Sequence, residues 1–261
     1  MITIPFSIYN IEFFLLVFIR IISAVYLAPF WGSSNSPRHA KIGISFFLAM
    51  IVANNLTYTP VRYTTIIGYA VIVLKEVAVG LLIGFFANIC MTIITFAGQI
   101  IDIDIGFSMV TLFDPVNRMQ VSITGNFYQY LVLLVMIVTN MHFFVISALV
   151  DSFKVVPVGE IQYNSEKLFE VFLKFMQDYF IIGFRIVLPV FASILLLNAI
   201  LAILAKASPQ MNMFVVGLQL KVFLGMAVLV VTVMYLPSIS DFVFSEMKEI
   251  VNLVIKAMYK G

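Results

Sequence analysis

Two carboxylates one residue apart, Asp102 and Asp104, lie in a polar interruption between two long apolar runs. Such a pair suggests a metal site, but residues two apart face opposite sides of a strand and point about 200° apart on a helix. They would converge only in a tight loop, and the neighbouring sequence offers no third ligand of a suitable type. We therefore predict that the pair does not bind a metal ion.

The other residues with reactive side chains do not form a catalytic pattern either. His39 and His142 lie far apart in the sequence, and the lone cysteine, Cys90, lies in an apolar run that favours a buried structural thiol. The sequence contains no Gly-rich phosphate loop, nucleophile elbow or His-Glu-x-x-His motif. We predict that the protein is not an enzyme and has no catalytic residue and no cofactor.

Charged residues interrupt several apolar segments, where an isolated charge costs about 2.5–3.5 kcal/mol. Arg20 lies in the first segment, Lys75 and Glu76 in the third, and Arg185 in the fifth. Two interpretations remain open: ion pairing between helices, for example of Arg20 or Arg185 with Glu76, or a path for protons or ions. Ion pairing is favoured because no single segment carries closely spaced carboxylates.

The composition predicts the elements that must position these residues. The chain is 62% hydrophobic and 11% charged, with a mean hydropathy of +1.10, whereas a soluble domain is about 25% charged. We predict an all-α, polytopic membrane protein that forms a single domain over residues 1–261. The net charge of +2 is too small to indicate a nucleic-acid partner.

About six apolar segments stand out, and their unequal lengths predict that not all are simple spans. The second is short and the third is long. The segments are Ile11–Phe30, Ile42–Leu56, Thr64–Phe96, Phe127–Val150, Tyr179–Leu204 and Phe214–Leu236. We expect the first to be a retained helix rather than a signal peptide. Amphipathic helices are predicted over Glu166–Asp178 and in the tail after Pro237.

Basic residues near the segment ends predict the orientation. Arg38 and Lys41 favour an inside first loop and an outside N-terminus, and Lys248, Lys256 and Lys260 favour an inside C-terminus. Six simple spans cannot place the two ends on opposite sides, so either one segment is re-entrant or does not span, or the basic residues do not predict the orientation of this chain.

The polar interruption runs from Gly98 to Arg118 and retains apolar residues over 107–113. Irregular backbone at membrane depth is tolerated only where protein buries it or it lines a water-filled cavity. Met109 and the flanking phenylalanines could form a constriction that gates by dewetting. The alternative is a re-entrant stretch packed against neighbouring helices without a gating role.

A Gly-x-x-x-Gly pair, Gly80 and Gly84, lies in the third segment. Small residues at this spacing permit close approach of another helix. The pair predicts tight helix packing, within the chain or with a partner.

An ordered series of residues covers nearly the whole chain. It comprises Arg20 with Pro29, Pro37 and Lys41; Glu76 with Gly80 and Gly84; Gly98-Gln99, Asp102, Gly106 and Asp114-Pro115; Ser152-Phe153 with Pro157 and Gly159; and Ala205-Lys206-Ala207-Ser208-Pro209-Gln210-Met211-Asn212-Met213-Phe214 before Gly217 and Leu220-Lys221. In this series the chain resembles the export-gate family of type III secretion, which includes the flagellar biosynthesis protein FliR and its injectisome counterparts. At position 206 the family pattern leads us to expect arginine about as readily as the lysine that this chain has.

The resemblance implies a non-catalytic subunit of the flagellar protein export gate, built of helical hairpins, in the bacterial inner membrane at the basal body. Implied partners are the sister proteins P and Q, the export-gate protein of the B type, and exported unfolded flagellar proteins. It implies that the loop after the third segment plugs a protein-conducting pore, with Gln99 and Asp102 anchoring it, and that Arg20, Glu76 and Arg185 contact other subunits. The implied plug residues are Gly106, Phe107, Ser108, Met109, Val110, Thr111, Leu112, Phe113 and Asp114.

Broken helices and midplane charges also fit a different class, a stand-alone secondary transporter. A transporter should be a stable, isolated protein that binds a small solute. An export-gate subunit should instead need partner chains.

Overall fold

The computed structural model describes residues 8–32, 36–57, 61, 63–107, 122–210 and 212–259. These residues form α-helices joined by short connections, which confirms the predicted all-α class. The helices are α1 (Ile8–Leu27), α2 (Arg38–Asn55), α3 (Ile66–Ile105), α4 (Ile123–Val138), α5 (Met141–Val155), α6 (Ser165–Ala207), α7 (Met213–Val233) and α8 (Leu236–Ala257).

Two predicted segments prove to be parts of longer helices. The third extends through Gly98–Ile105, so the first part of the polar interruption is helical rather than irregular. The predicted amphipathic helix over Glu166–Asp178 continues directly into the fifth segment as the 43-residue α6, with Pro189 inside it. No glycine or proline separates these two stretches, so nothing in the local sequence ends the helix between them.

The fourth predicted segment is broken instead of extended. Helix α4 ends at Val138 and α5 begins at Met141, with Asn140 between them in the left-handed conformation at φ 58°. Asparagine tolerates this conformation better than most residues because its short polar side chain can bond locally.

Three helices of the described chain, α3, α6 and α7, are long and apolar enough to cross a membrane, and α4 with α5 would add a fourth if they form one broken span. This agrees with the prediction of a polytopic helical membrane protein whose apolar segments are not all simple spans.

The described residues group into two compact units. The first takes in residues within Met1–Cys90, Asn140–Phe175 and Ser245–Gly261, and the second those within Met91–Thr139 and Met176–Phe244. Three helices (α3, α6 and α8) contribute to both units, so neither unit is one continuous stretch of sequence. The prediction of a single domain stays a prediction.

In the first unit, helical periodicity sets which residues are buried. Val17, Ile21 and Ala24 of α1 are fully or almost fully buried, at the i, i+4 and i+7 spacing of one helix face. The C-terminal part of α8 shows the same pattern. Its last residue, Ala257, accepts a backbone hydrogen bond from the N–H of Asn164, and the next residue, Met258, accepts one from the N–H of Gln162.

In the second unit, the buried face of α3 continues through Ala97, Ile101 and Ile105. A polar contact in the same unit joins α4 to α7: the hydroxyl oxygens of Tyr128 and Thr232 are 2.5 Å apart.

The Gly80–Gly84 pair of α3 packs against α1 within the first unit. A Cβ at position 80 would lie 2.2 Å from Arg20 O, and one at position 84 would lie 2.4 Å from Ala24 O. Both clashes are with backbone, which a side-chain rotation cannot relieve. The close approach predicted from the glycine spacing is therefore a contact inside the chain.

We expect Gly80→Ala to lower the free energy of unfolding by about 1–3 kcal/mol, the usual cost of overpacking. The measurement is the thermal unfolding midpoint of the purified protein in detergent. Gly43→Ala is the matched control, since a Cβ there meets nothing within 4 Å, and alanine in a helix should stabilise by up to about 1 kcal/mol. Equal midpoints for the two variants would contradict the packing argument.

Candidate functional site

The first candidate site is a buried ion pair between α1 and α3. Arg20 Nε donates to Glu76 Oε2 at 2.6 Å, and neither side chain is exposed to solvent. Burying two charges costs several kcal/mol per ion, and the pair is stable only when further hydrogen bonds satisfy both groups.

Those further bonds come from the end of α5 and the turn that follows it. Arg20 Nη1 donates to Val156 O at 2.9 Å and to Ser152 O at 3.4 Å. These carbonyls lie at the C-terminus of α5, where the helix dipole favours a cation. The guanidinium carbon of Arg20 also lies 4.2 Å from the ring centroid of Phe153, close enough for a cation–π interaction.

The second hydrogen bond to the Glu76 carboxylate comes from a glycine whose backbone conformation few other residues adopt. The second carboxylate oxygen, Oε1, accepts from the N–H of Gly159 at 2.9 Å. Gly159 has φ +82°, a conformation that glycine adopts without steric cost. The result is one network that ties α1, α3 and the turn after α5 together.

Tyr163 lies at the margin of this network and donates its hydroxyl to Lys75 O at 3.0 Å. Burial raises the pKa of Tyr163 above its usual value, the Glu76 carboxylate raises it further, and Arg20 opposes the shift. Tyr163 is therefore a neutral hydrogen-bond donor at physiological pH.

The second candidate site is the base of the predicted plug. Asp102, on the last turns of α3, is 5% exposed. Its Oδ2 accepts from Ser122 Oγ at 2.7 Å, and its two oxygens accept from the N–H of Thr124 at 3.2 and 3.3 Å. Ser122 is also the N-cap of α4, where its Oγ accepts from the N–H of Gly125 at 2.8 Å. A carboxylate at a helix N-terminus is stabilised by the helix dipole as well.

A glycine-to-glycine contact makes this arrangement possible. A Cβ at Gly98 would lie 2.1 Å from the Cα of Gly125, so only glycine permits α3 and α4 to approach this closely. The approach brings Asp102 within hydrogen-bonding distance of the α4 N-terminus. The two helices that flank the 106–121 segment are thereby joined at its base.

Helix α3 ends where this segment starts. Gly106 has φ +98°, and its N–H donates to Asp102 O at 3.1 Å, an arrangement typical of a glycine that terminates a helix. Gly106 and Phe107 are described, whereas Ser108–Asp114 lie outside the described residues.

Two further predicted site residues are exposed. Gln99 makes no hydrogen bond through its side chain to the described part of the chain, although it was predicted to anchor the loop. Arg185 places its guanidinium carbon 4.8 Å from the ring centroid of Phe242.

Sequence reasoning missed Ser122 and Thr124 as partners of Asp102. A signal for Ser122 was present, since serine before an apolar run is a typical N-cap. Ser152, Phe153 and Gly159 belong to the series in which the chain resembles the export-gate family. Nothing in their types or spacing indicated a contact with Arg20 or Glu76.

Comparison with known proteins covers almost the whole chain. Residues 11–247 match the model of a family described as bacterial export proteins, family 1. The chain is 32% identical to the flagellar biosynthetic protein FliR of Bacillus subtilis (strain 168), over 94% of this chain and 92% of that protein. It is 31% identical to FliR of Aquifex aeolicus (84% of each chain) and 25% identical to FliR of Escherichia coli K12 (92% and 91%).

We expect Arg20→Met to destabilise the protein by about 3–5 kcal/mol, because it leaves a buried carboxylate without its counter-charge. The double variant Arg20→Met/Glu76→Gln should recover part of the loss. Thermal unfolding in detergent measures both. Lys154→Met is the matched control: its ion pair with Asp151 is largely exposed, and such pairs contribute at most about 1 kcal/mol. A double variant no more stable than the worse single variant would argue against the pairing.

We expect Asp102→Ala to speed hydrogen–deuterium exchange at the start of α4, because the Thr124 N–H and the Ser122 hydroxyl lose their acceptor. An unpaired buried polar group costs about 1–3 kcal/mol, which corresponds to an increase in exchange of roughly 5- to 150-fold. Asp104→Ala is the control two residues away, since Asp104 Oδ2 is buried without a hydrogen-bond partner among the described residues. Unchanged exchange in Asp102→Ala would contradict the anchoring role.

Proposed function

Because this chain belongs to the bacterial export proteins of family 1, we propose that it is a non-catalytic subunit of the flagellar protein export gate in the bacterial inner membrane. The observation that carries the proposal is the match over residues 11–247, together with flagellar relatives such as the FliR of Bacillus subtilis, aligned over more than nine-tenths of both chains. Family membership favours this function over a stand-alone transporter.

In this proposal the export gate is formed by several different proteins together. We propose that the chain assembles with the sister proteins P and Q and meets the B-type export-gate protein, and that unfolded flagellar proteins pass through the pore. In support, most of the apolar surface of α7 is left uncovered by the described part of the chain, for example at Phe223 and Val230. Apolar surface on this scale marks contact with lipid or with other chains.

We propose that Gly106–Asp114 forms a plug in this pore and that Asp102 anchors it. The hydrogen bonds of Asp102 to Ser122 and Thr124 support the anchor, because they join the helices before and after the segment. Gln99, which is exposed on α3, would contribute through contacts beyond the described residues.

The three charges that were predicted to contact other subunits, Arg20, Glu76 and Arg185, then divide into two groups. Arg20 and Glu76 have partners within the chain, so we propose that they organise the first unit. Arg185 is exposed and is available for contacts outside the chain. An outside N-terminus and a cytoplasmic C-terminus stay a prediction.

Deleting Val110–Asp114 tests the plug. We expect the variant to assemble with the sister proteins and to leak, because the seal is lost while the Asp102 anchor remains. Small-ion permeability of vesicles containing the assembly measures the leak, with the wild-type assembly in the same vesicles as the control.

Normal assembly without a rise in permeability would refute the plug assignment. A separate experiment tests the gate itself: purification with and without candidate partners. A monodisperse single chain that binds a small solute would refute the export-gate function and support the transporter.

A further inference from the structure

A cavity of about 580 Å³ lies within the second unit. Residues of α4, α6, α7 and α8 line it, most of them apolar, such as Ile182, Val231 and Ile239. Several of its hydroxyl groups are already bonded: Tyr128 with Thr232, and Ser193 Oγ with Pro189 O at 2.8 Å. Most of the lining therefore provides a surface against which an apolar ligand can pack, and few free hydrogen-bonding groups.

Arg185 is the one lining residue with a formal charge. It stacks on Phe242, a contact that gives the guanidinium no hydrogen-bond acceptor. No carboxylate among the described residues lies within ion-pair distance of it, including Asp178 on its own helix and Asp241 beside Phe242. A guanidinium on an apolar helix is costly unless it meets an anion, and its planar donors suit a phosphate or a carboxylate.

We propose that this cavity binds an anionic phospholipid, with one acyl chain in the cavity and the phosphate at Arg185. The volume lies within the range of about 300–1,000 Å³ that is usual for ligand sites. Basic pockets between membrane helices are known to hold anionic lipid headgroups. The cavity is lined in part by α6 and α7, two of the helices apolar enough to span a bilayer. The proposal does not depend on the export-gate function.

A single phospholipid meets both requirements of the site. Its phosphate compensates Arg185, and its acyl chain fills the apolar volume that the side chains leave open. The family resemblance implies instead that Arg185 contacts another subunit. A carboxylate of that subunit would compensate the charge without using the cavity.

The test is a lipid titration of the full chain, purified alone and together with its sister proteins, and stripped of native lipid. The probes are phosphatidylglycerol, phosphatidylcholine with the same acyl chains, and inorganic phosphate. Thermal stabilisation and native mass spectrometry report binding. We expect phosphatidylglycerol to bind about fivefold more tightly than phosphatidylcholine, as one basic residue near an anionic headgroup provides, and phosphate alone to have no effect.

Variants separate the headgroup from the chain. Arg185→Gln should abolish the preference for phosphatidylglycerol but keep binding of both lipids. Ala227→Phe and Ser193→Leu, on two different helices that line the cavity, should weaken both lipids. Lys206→Gln, an exposed cation elsewhere on α6, is the matched control and should behave as wild type.

Four results would overturn the proposal. These are equal affinity of the wild-type chain for the two lipids, full stabilisation by phosphate alone, the same loss of preference in Lys206→Gln as in Arg185→Gln, and loss of lipid binding when the sister proteins are present. The last would assign the cavity to a subunit contact.

Discussion

The first unit depends on one buried ion pair. Arg20 and Glu76 are fully buried, and the hydrogen bonds that they make in place of water form only if α1, α3 and the turn after α5 are all in place. Arg20 Nη2 is buried without a hydrogen-bond partner among the described residues. Such a network strongly stabilises the one arrangement in which all three elements are in place. Partial arrangements are unstable, since the loss of one partner leaves a buried charge uncompensated. The Gly80 contact serves the same end, because it lets α1 approach α3 closely at the level of Arg20.

The second unit uses the same strategy with weaker groups. Gly98 and Gly125 permit two helix backbones to touch, and the Asp102 carboxylate then accepts hydrogen bonds from the Thr124 N–H and the Ser122 hydroxyl at the start of α4. In both units a glycine permits two helices to approach closely, and a carboxylate then forms hydrogen bonds between neighbouring elements. Helices α3 and α4, which precede and follow the 106–121 segment, are thus joined by hydrogen bonds near their adjoining ends.

The sequence predicted what depends on local pattern. Apolar runs located most of the helices, the spacing of Gly80 and Gly84 indicated a close helix contact, and periodicity found the amphipathic tail that became α8. It named Glu76 as a partner for Arg20 or Arg185 but could not choose between them, because Arg20 and Glu76 are 56 residues apart and only the fold brings them together. The break at Asn140 was also missed, since a run of apolar residues looks the same whether one helix or two cross it.

The length of α6 has a consequence for where its apolar side chains can lie. Phe169 and Ile203 are both largely exposed on this helix, and the 34 residues between them correspond to about 51 Å along the axis. The hydrocarbon core of a bilayer is only about 30 Å thick. A helix that crosses the bilayer with little tilt cannot place both side chains in the hydrocarbon core, so at least one of them lies at the membrane interface or beyond it.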